Sequence, residues 1–407
     1  MAIKVLYIHL IGAFGGSSRS LFEAIRALPK DEVDAYFVTQ RGSVEEFFGQ
    51  IANDVIQTRG LTQFDNTRYS YYRGVRWLVA FREILYLPGT IFTLFQARRR
   101  WGRMDLIHLN EFTGLIPMLI ARCLFSAPVV VHVRSLARKD LSLQTKWVNA
   151  VLENKVTAVI AIDENVKASL PDNLQVDVIH NAFTPAVEVV LDQDLDVRLK
   201  SLRKTSYKVG FVGNLLRVKG LYELVEAAKL IKQSGADVEF IIIGENARQL
   251  RGIYGYFLKK LGLAQDVRAD LERLIQEYDL TDRFHLMGST TDIQRVYQNM
   301  DLLCFPSHYD APGRPIFEAA YSGIPSVVAV QEPKPDTLIN GVTGLAVPPR
   351  DPIKLAEALM FLANNRNISS NYGAAARLMA HQNFDAARNS EKLLSLYRRC
   401  INAFVKK

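Results

Sequence analysis

The sequence predicts an α/β fold with two domains, each built on a mostly parallel sheet. In the N-terminal half, short apolar runs alternate with segments of helical period, and the same alternation restarts near Tyr207. Apolar strands separated by helical segments are typical of parallel sheets whose strands are joined by crossover helices. The chain has 407 residues, 49% of them hydrophobic, so it is long enough for two cores at about 100–200 residues per domain.

Short apolar runs mark the expected strands. In the first half they span residues 5–10, 35–38, 106–109, 129–133, 158–162 and 176–179. In the second half they end near Val212, Gly244 and Gly288 and recur at 302–305 and 325–330. We therefore expect a first domain at 1–185, a charged linker at 186–205 and a second domain at 206–378. Residues 379–407 carry apolar side chains at helical intervals, which predicts a final helix.

The cysteines, the first residues and the net charge limit the classes of protein that fit this sequence. Three cysteines, Cys123, Cys304 and Cys400, lie far apart in the sequence, which indicates neither a disulfide framework nor a zinc cluster. The first residues lack the basic segment and cleavage site of a signal peptide, so we expect the chain to begin folded in a reducing compartment. A net charge of +8 suits anionic membranes, nucleic acids or phosphorylated ligands without choosing among them.

Residues 301–330 contain two apolar runs separated by a polar loop and a short helical segment, a pattern that predicts a βαβ unit. Pro315 suits the first helical turn, and Gly323 suits the left-handed position after the last turn. Asp310 therefore lies in the loop beyond a strand's carboxyl end, and Glu318 lies about one turn inside the helix. Open α/β sheets bind ligands at this edge.

The spacing of Asp310 and Glu318, followed by the letters AAYSGIPSVVA, resembles the E-x7-E motif of retaining GT-B glycosyltransferases of family 4. The family has two Rossmann-like doubly wound domains facing a central cleft, and its last helix crosses back to the first domain. The resemblance implies that Glu318 binds the ribose of a sugar nucleotide and that Gly313 and Arg314 contact the donor. It makes Asp310, one methylene shorter than the usual glutamate, a catalytic acid. Otherwise Glu318 is a helix N-terminal carboxylate without a ligand.

The segment GNLLRVKG after the run ending at Val212 resembles the family's diphosphate-binding G-R-L-x-x-x-K-G segment. Lys219 matches the motif lysine, Asn214 stands at the arginine position, and Arg217 is expected to supply the missing charge. A lysine at a helix N-terminus opposes the helix dipole, so a shared anion explains it better. The resemblance implies catalytic roles for Lys219 and Arg217, and donor binding by Asn214 and by the loops at Gly244 and Gly288.

In the first half, the loop GAFGGSSRS resembles the family's first glycine loop, which implies donor contacts for Gly15 and Gly16. The alternative is a plain tight turn, and the glycines do not fit the dinucleotide-binding pattern. The segment PVVVHVRSL places His132 at a position that resembles the family histidine near the donor sugar, so His132 is a catalytic candidate. A buried core histidine is the alternative. His108, in DLIHLN, is a weaker candidate.

Residues 69–103 carry seven arginines, one acid and nine aromatic residues, which the sheet pattern does not explain. A membrane span is not expected, because Arg82 and Glu83 interrupt the tract and its uncharged part, 84–97, is shorter than the ~20 residues a span needs. The tract could lie in an anionic membrane interface, or form two ordinary helices with solvated arginines. Single-stranded nucleic acid is disfavoured because no nucleic-acid module accompanies it.

An acidic run at Asp192, Asp194 and Asp196 could be mistaken for a D-x-D metal site, but a charged helix start or linker explains it better. No essential metal and no cofactor are expected. The basic amphipathic segment 247–268 has no assigned role.

Taken with the resemblance, these residues predict a hexosyltransferase that is retaining and metal-independent. Its co-substrate is a nucleoside diphosphate sugar, and its acceptor is a glycan or lipid-linked molecule of cell-surface polysaccharide or lipopolysaccharide synthesis. The expected location is cytoplasmic, at most peripheral on the membrane. Two alternatives stay open, a GT-B-fold sugar-nucleotide epimerase and a sugar-nucleotide-binding protein without turnover. Asp310 and Asn214 motivate the second of these.

Overall fold

The computed structural model describes residues 2–69, 72, 77–185, 192–246 and 266–406. The chain divides into two compact units, of which unit 1 comprises Met1–Thr184 with Phe384–Lys407 and unit 2 comprises Pro185–Asn383. Each unit contains a parallel sheet, so the predicted α/β fold with two parallel-sheet domains is confirmed.

Unit 1 contains a seven-stranded sheet in the order β3-β2-β1-β4-β5-β6-β7. The strands are β1 Ile3–His9, β2 Val33–Gln40, β3 Asp54–Thr58, β4 Leu106–Asn110, β5 Val129–Val133, β6 Ala158–Ala161 and β7 Val176–Val178. Val5 pairs with Ala35 on one side and with Leu106 on the other. The order reverses between β1 and β4, so the carboxyl ends of these strands border the switch point where such sheets bind ligands.

Seven helices of the described chain connect these strands. They are α1 Gly16–Arg26, α2 Val44–Phe48, α3 Trp77–Leu85, α4 Leu87–Trp101, α5 Leu115–Phe125, α6 Leu143–Lys155 and α7 Glu164–Ser169. The central strand β5 is buried along its whole length, as expected where helices cover both faces of a sheet.

Unit 2 contains a six-stranded sheet in the order β10-β9-β8-β11-β12-β13, with its switch point between β8 and β11. The strands are β8 Tyr207–Val212, β9 Val238–Ile243, β10 Phe284–Gly288, β11 Leu302–Phe305, β12 Ser326–Ala329 and β13 Gly344–Val347. The helices that the structure describes here are α8 Gln193–Lys200, α9 Leu221–Gln233, α10 Val267–Glu277, α11 Ile293–Gln298, α12 Arg314–Tyr321, α13 Pro352–Asn364 and α14 Arg366–Asn383.

Helix α8 shortens the linker that the sequence predicted at 186–205. Asp192 caps α8 by accepting the Leu195 backbone N–H, and Leu195 and Leu199 are buried in the core of unit 2. The charged residues that suggested a linker are the outer face of this helix. Residues 186–191 lie outside the described residues.

The final helix, α15 Ala386–Val405, belongs to unit 1. Leu393 and Tyr397 are buried in the same core as Val5 and Phe37. The Ser390 hydroxyl donates a hydrogen bond to the Ala24 carbonyl, at 2.8 Å. The chain thus returns from unit 2 to complete the core of unit 1.

Candidate functional site

Three glycine loops lie side by side at the carboxyl edge of the unit 2 sheet. The Gly213 N–H donates to the Ile243 carbonyl at 3.0 Å, and the Gly244 N–H donates to the Gly288 carbonyl at 2.8 Å. A Cβ on Gly244 would lie 1.9 Å from the Gly213 carbonyl oxygen, so only glycine allows this approach. The donor contacts predicted for Gly244 and Gly288 stay predictions.

Lys219 lies where the loops after β8 and β11 meet. The His308 N–H donates to the Val218 carbonyl at 2.9 Å and joins these two loops. The Lys219 ammonium lies 5.2 Å from the ring centroid of Phe305 and 5.7 Å from that of Tyr309. Burial lowers the pKa of Lys219. A bound anion at this edge would offset that burial of charge.

Arg217 and Asn214 are exposed on the same loop as Lys219. The Arg217 guanidinium lies 5.4 Å from the Tyr222 ring centroid. Arg217 and Lys219 belong to a 3-10 turn, and the longer helix begins only at Leu221. Their predicted roles toward a diphosphate stay predictions.

Glu318 is held by two side chains inside unit 2. It is 3% exposed, and its Oε1 accepts a hydrogen bond from Arg314 Nε at 2.6 Å. Its Oε2 accepts a hydrogen bond from the Tyr297 hydroxyl at 2.9 Å. Arg314, predicted to contact the donor, therefore orients Glu318 in this structure. Sequence reasoning missed Tyr297, which is 21 residues away and brought in by α11.

The loop between Asp310 and α12 is shaped as the sequence predicted. Gly313 precedes the helix, Pro315 lies in its first turn, and Gly323 follows it with φ of +77°. A Cβ on Gly313 would lie 2.4 Å from the Phe305 ring, which explains the glycine by packing.

Asp310 has a structural contact of its own. Its φ is +49°, in the left-handed region that aspartate tolerates better than most residues. Its Oδ1 accepts a hydrogen bond from the Gln331 backbone N–H at 2.7 Å. The carboxylate thus joins the loop after β11 to the chain after β12, and its predicted catalytic contact with a sugar stays a prediction. Nearby, His308 Nε2 lies 2.9 Å from Glu223 Oε1, a pair that the sequence did not indicate.

Unit 1 carries a buried polar cluster where β1 and β4 end. His9 Nδ1 lies 2.8 Å from Asn110 Nδ2, and His9 Nε2 lies 3.0 Å from Ser18 Oγ. His108 Nδ1 lies 2.6 Å from the Tyr397 hydroxyl. Burial, and secondly the charge of Arg134, lowers the pKa of His9 and of His108 to about 3. Both rings are therefore neutral at physiological pH.

His132 is the fourth of the five residues of β5. Its side chain is buried, its Nε2 has no hydrogen-bond partner, and its ring centroid lies 5.5 Å from that of His108. The residue beyond the strand is Arg134, whose Nε donates to Asn110 Oδ1 at 2.5 Å and whose Nη1 donates to Asn181 Oδ1 at 2.7 Å. The charged group at this edge is thus Arg134. The catalytic role expected of His132 stays a prediction.

In the loop before α1, the structure does not require glycine at the two predicted positions. A Cβ on Gly15 or Gly16 would meet nothing within 4 Å. The demanding position is Gly12, where a Cβ would lie 2.1 Å from the Arg41 carbonyl oxygen. The donor contacts predicted for Gly15 and Gly16 stay predictions.

The arginine-rich tract at 69–103 forms α3 and α4, which only Tyr86 separates, while residues 70–71 and 73–76 lie outside the described residues. One side packs on unit 1: Leu94 and Ala97 are buried, and Glu83 Oε2 accepts the Gln63 N–H at 3.1 Å. The other side exposes large apolar side chains, namely Trp77, Leu78, Phe81, Ile84, Leu85, Ile91, Phe92 and Phe95.

Residues 77–101 form a helical stretch of 25 residues that is long and apolar enough to cross a membrane, judged by length and composition only. The sequence predicted no span here because Arg82 and Glu83 interrupt the tract and its uncharged part is short, and this stays a prediction. A helix packed in a protein core can meet the same criteria. The packed side of α4 ties this stretch to the body of unit 1.

Asp192 and Asp196 lie on α8, as a charged helix start requires. Asp192 Oδ2 accepts a hydrogen bond from Thr290 at 2.9 Å, and Asp196 pairs with Arg295 and Lys200. Within the described ranges, no group of three or more His, Cys, Asp or Glu side chains is placed to hold a metal ion.

Two family models match this chain, one in each half. The model described as Glycosyltransferase Family 4 matches residues 14–186, and the model described as Glycosyl transferases group 1 matches residues 192–379. The chain is a family 4 glycosyltransferase. The enzyme class predicted from the sequence is confirmed.

This glycosyltransferase is similar to two curated bacterial glycosyltransferases. CapM of Staphylococcus aureus, a capsular polysaccharide biosynthesis glycosyltransferase, is 25% identical over 52% of this chain and 50% of its own length, so this chain spans only half of that relative. The UDP-Gal:alpha-D-GlcNAc-diphosphoundecaprenol alpha-1,3-galactosyltransferase of Escherichia coli is 22% identical over 80% of this chain and 79% of its own length.

Solved structures share the fold of this glycosyltransferase. HepE from Anabaena, crystallised with UDP and glucose, has a TM-score of 0.73 at 19% identity and covers 97% of this chain and 99% of its own. Sucrose-phosphate synthase from Thermosynechococcus elongatus has a TM-score of 0.71 at 20% identity, with 98% of this chain and 100% of its own covered. The predicted GT-B architecture is confirmed.

Proposed function

We propose that this glycosyltransferase moves a hexose from a nucleoside diphosphate sugar to a glycan or lipid-linked acceptor, with retention of configuration. The observation that carries the proposal is Lys219, held against the rings of Phe305 and Tyr309 beside the three glycine loops. A cation with a pKa lowered by burial, next to exposed Arg217, suits a diphosphate. HepE of the same fold was crystallised with UDP and with UDP-glucose.

In the proposed mechanism, catalysis depends mainly on electrostatic stabilisation of the leaving group. Lys219 and Arg217 stabilise the negative charge that develops on the leaving diphosphate, and the acceptor hydroxyl attacks from the face that the diphosphate leaves. Glu318, already oriented by Arg314 and Tyr297, accepts hydrogen bonds from the ribose hydroxyls. Two cations on one diphosphate make an essential metal unnecessary. Full activity in EDTA is the expected result, and activity that requires added magnesium or manganese would contradict it.

For the acceptor, we propose a lipid-linked glycan of cell-surface polysaccharide synthesis at the cytoplasmic face of the membrane. Support comes from the E. coli relative, whose name specifies a diphosphoundecaprenol-linked acceptor, and from the exposed apolar face of α3 and α4. The arginines that end α4 suit an anionic lipid surface.

A thermal-shift panel of UDP, GDP, ADP and their sugars tests the donor. A ligand present at 100 times its Kd stabilises the protein by ~2.7 kcal/mol, so the correct nucleotide raises Tm by a measurable amount. The NMR coupling constant of the product's anomeric proton then tests retention. Transfer of sugar to an acceptor supports the proposal. An altered nucleotide sugar without transfer would indicate an epimerase, and binding without any turnover would indicate a binding protein.

A further inference from the structure

A second apolar surface of unit 1 lies in the segment between β5 and the first turns of α6, residues 138–147. Leu141 and Leu143 are each 85% exposed, and Trp147 is 40% exposed. Leu143 and Trp147 are four residues apart on α6, so they share one face of the helix. Large apolar side chains grouped on a surface in this way mark an interaction site.

The same segment is basic. Lys139 and Lys146 are exposed beside the two leucines. Asp140 is committed to the loop, because it pairs with Arg138 at 2.9 Å and its Oδ1 accepts hydrogen bonds from Ser142 and Thr145. Lysines suit a partner with a negatively charged surface, and the leucines between them suit a partner with an apolar interior.

Beside the segment is a pocket of about 260 Å³ whose wall includes Arg138, Lys139 and Lys146. Asp140 and Asp172 also line it. Because the acids offset the basic side chains, this pocket is not selective for a free anion.

A chain of contacts joins this segment to the exposed face of α3. Gln144 Nε2 donates to Asn66 Oδ1 at 2.7 Å and to the Asp65 carbonyl at 3.2 Å. The Asp65 N–H donates to the Tyr72 hydroxyl at 3.0 Å, and the Tyr72 ring stacks on Trp77 with centroids 5.7 Å apart. The two apolar surfaces therefore border each other within unit 1.

We propose that residues 138–147 and the exposed face of α3 and α4 form one surface that docks on an anionic lipid bilayer. Leu141 and Leu143 insert below the head groups, while Lys139 and Lys146 lie at the level of the lipid phosphates. The proposal deepens the proposed function by giving this enzyme a second membrane contact, and it rests on the membrane location proposed for the acceptor.

Charge favours lipid over a second copy of this chain. In a two-fold dimer the same patch meets itself, so Lys139, Lys146 and the arginines of α4 would face their own counterparts. The chain carries a net charge of +8, which adds to that repulsion. A bilayer with acidic lipids meets the same residues with opposite charge.

The test is flotation of the full chain with vesicles of phosphatidylcholine containing about 30 mol% phosphatidylserine, compared with phosphatidylcholine alone. Leu141→Ser with Leu143→Ser should weaken binding about tenfold or more, because each leucine loses its apolar insertion. Leu378→Ser is the matched control, since Leu378 is 68% exposed on α14 of unit 2, and it should bind as the wild type does. Equal Tm values would show that the variants are folded.

Trp147 gives a second readout that needs no loss of binding. In a Trp77→Phe variant the remaining tryptophans are Trp147 and Trp101, of which Trp101 is buried. Anionic vesicles should therefore shift the emission of Trp147 to shorter wavelength, and lipids brominated along the chain should quench it. The proposal is overturned if the leucine variant binds as the wild type does, if neutral vesicles bind as well as anionic ones, or if Trp147 is not quenched. It is also overturned if sedimentation shows a wild-type dimer that the leucine variant dissociates while vesicles are ignored.

A separate activity assay distinguishes this proposal from the proposed function. The leucine variant should transfer sugar to a short water-soluble acceptor at the wild-type rate and lose rate only toward acceptors embedded in vesicles. Absence of transfer by the wild type with every donor and acceptor would contradict the proposed function and leave the vesicle result standing.

Discussion

At the scale of single residues, the Arg314–Glu318 pair means that a change at Glu318, a proposed donor contact, also changes stability. Glu318→Ala removes the carboxylate from a guanidinium that is 11% exposed, and breaking a buried pair in this way costs about 3–5 kcal/mol. Arg314→Met with Glu318→Ala should recover part of that loss in a double-mutant cycle measured by urea unfolding.

Nucleotide binding separates the two roles of Glu318. If the carboxylate binds the ribose, calorimetry should find weak binding in both the single and the double variant, with Glu318→Gln less affected because it keeps one acceptor oxygen. Wild-type affinity in the stable double variant would mean that Glu318 only supports α12.

Lys219 should give nucleotide binding a pH dependence. Burial lowers the pKa of its ammonium in the free enzyme, and a bound diphosphate favours the charged form and raises that pKa again. Binding should therefore take up a proton, and affinity should fall with rising pH sooner than an exposed lysine would cause. Calorimetry in two buffers with different ionisation enthalpies measures the uptake. In Lys219→Arg the uptake should vanish, because arginine stays charged.

Acid should weaken unit 1 through its buried histidines. The pKa of His9 and of His108 is lowered from 6.5 to about 3, so below about pH 6.5 the unfolded chain takes up protons that the folded unit does not. The contribution of these two histidines to the free energy of unfolding is therefore fully present above that pH. It falls as pH drops toward 3, by up to about 1.4 kcal/mol per pH unit for each histidine.

Urea unfolding between about pH 7.5 and 5.5, where most carboxylates stay ionised, measures this slope. His108→Gln should reduce the slope even if it lowers stability at every pH, because glutamine does not titrate. An unchanged slope in His108→Gln would mean that His108 takes up its proton as readily in the folded protein as in the unfolded chain.

Sequence reasoning located the candidate site in unit 2 but not its contacts. The residues around Asp310, Glu318 and Lys219 indicated the carboxyl edge of the sheet, because glycine and proline positions fix where a strand ends and a helix begins. The sequence pattern could not indicate that Tyr297 and Arg314 hold Glu318, because those contacts depend on the packing of two helices. The run predicted at 129–133 matches β5, which includes His132 and ends at Val133.

At the scale of elements, the arginines at the end of α4 and just after it are of two kinds. Arg98 Nε donates to the Leu124 carbonyl at 3.0 Å, and Arg100 Nε lies 2.7 Å from Asp54 Oδ2. Arg99 and Arg103 are exposed. A change of all four to serine would therefore mix a surface effect with a structural one.

The two kinds should separate in a matched pair of variants. Arg99→Ser with Arg103→Ser should reduce binding to anionic vesicles with little change in Tm, because each exposed charge near such a surface contributes ~1 kcal/mol. Arg98→Ser with Arg100→Ser should also lower Tm by about 2–4 °C for each kcal/mol lost. Equal Tm values for both pairs would show that the contacts to Leu124 and Asp54 contribute nothing.

The order of elements was largely predictable because central parallel strands are apolar throughout. All six runs proposed for the first sheet became strands, and the one missed, β3, reads DVIQT, with Ile56 as its one buried residue. A strand at the sheet edge keeps polar residues, so its apolar signal is weak. Asp351 caps α13 by accepting the Lys354 N–H, at 2.9 Å.

At the scale of the whole molecule, α15 makes the stability of unit 1 depend on the far end of the chain. Deleting residues 384–407 would remove Leu393, Tyr397 and Cys400 and expose the core residues of unit 1 that they cover. We expect this truncation to lower Tm and expose unit 1 to protease while unit 2, whose core is separate, stays resistant. Limited proteolysis with mass spectrometry identifies the fragments. Resistance of both units would contradict the role assigned to α15.

The same return of the chain has a consequence during synthesis. A ribosome adds about 5–20 residues per second, and α15 follows Thr184 by about two hundred residues, so unit 1 waits about 10–40 seconds for its last helix. Unit 2 has all its residues before that moment. Unit 1, which is translated before unit 2, is therefore the last of the two to finish folding. A chaperone that acts on the nascent chain would bind the unit that was made first.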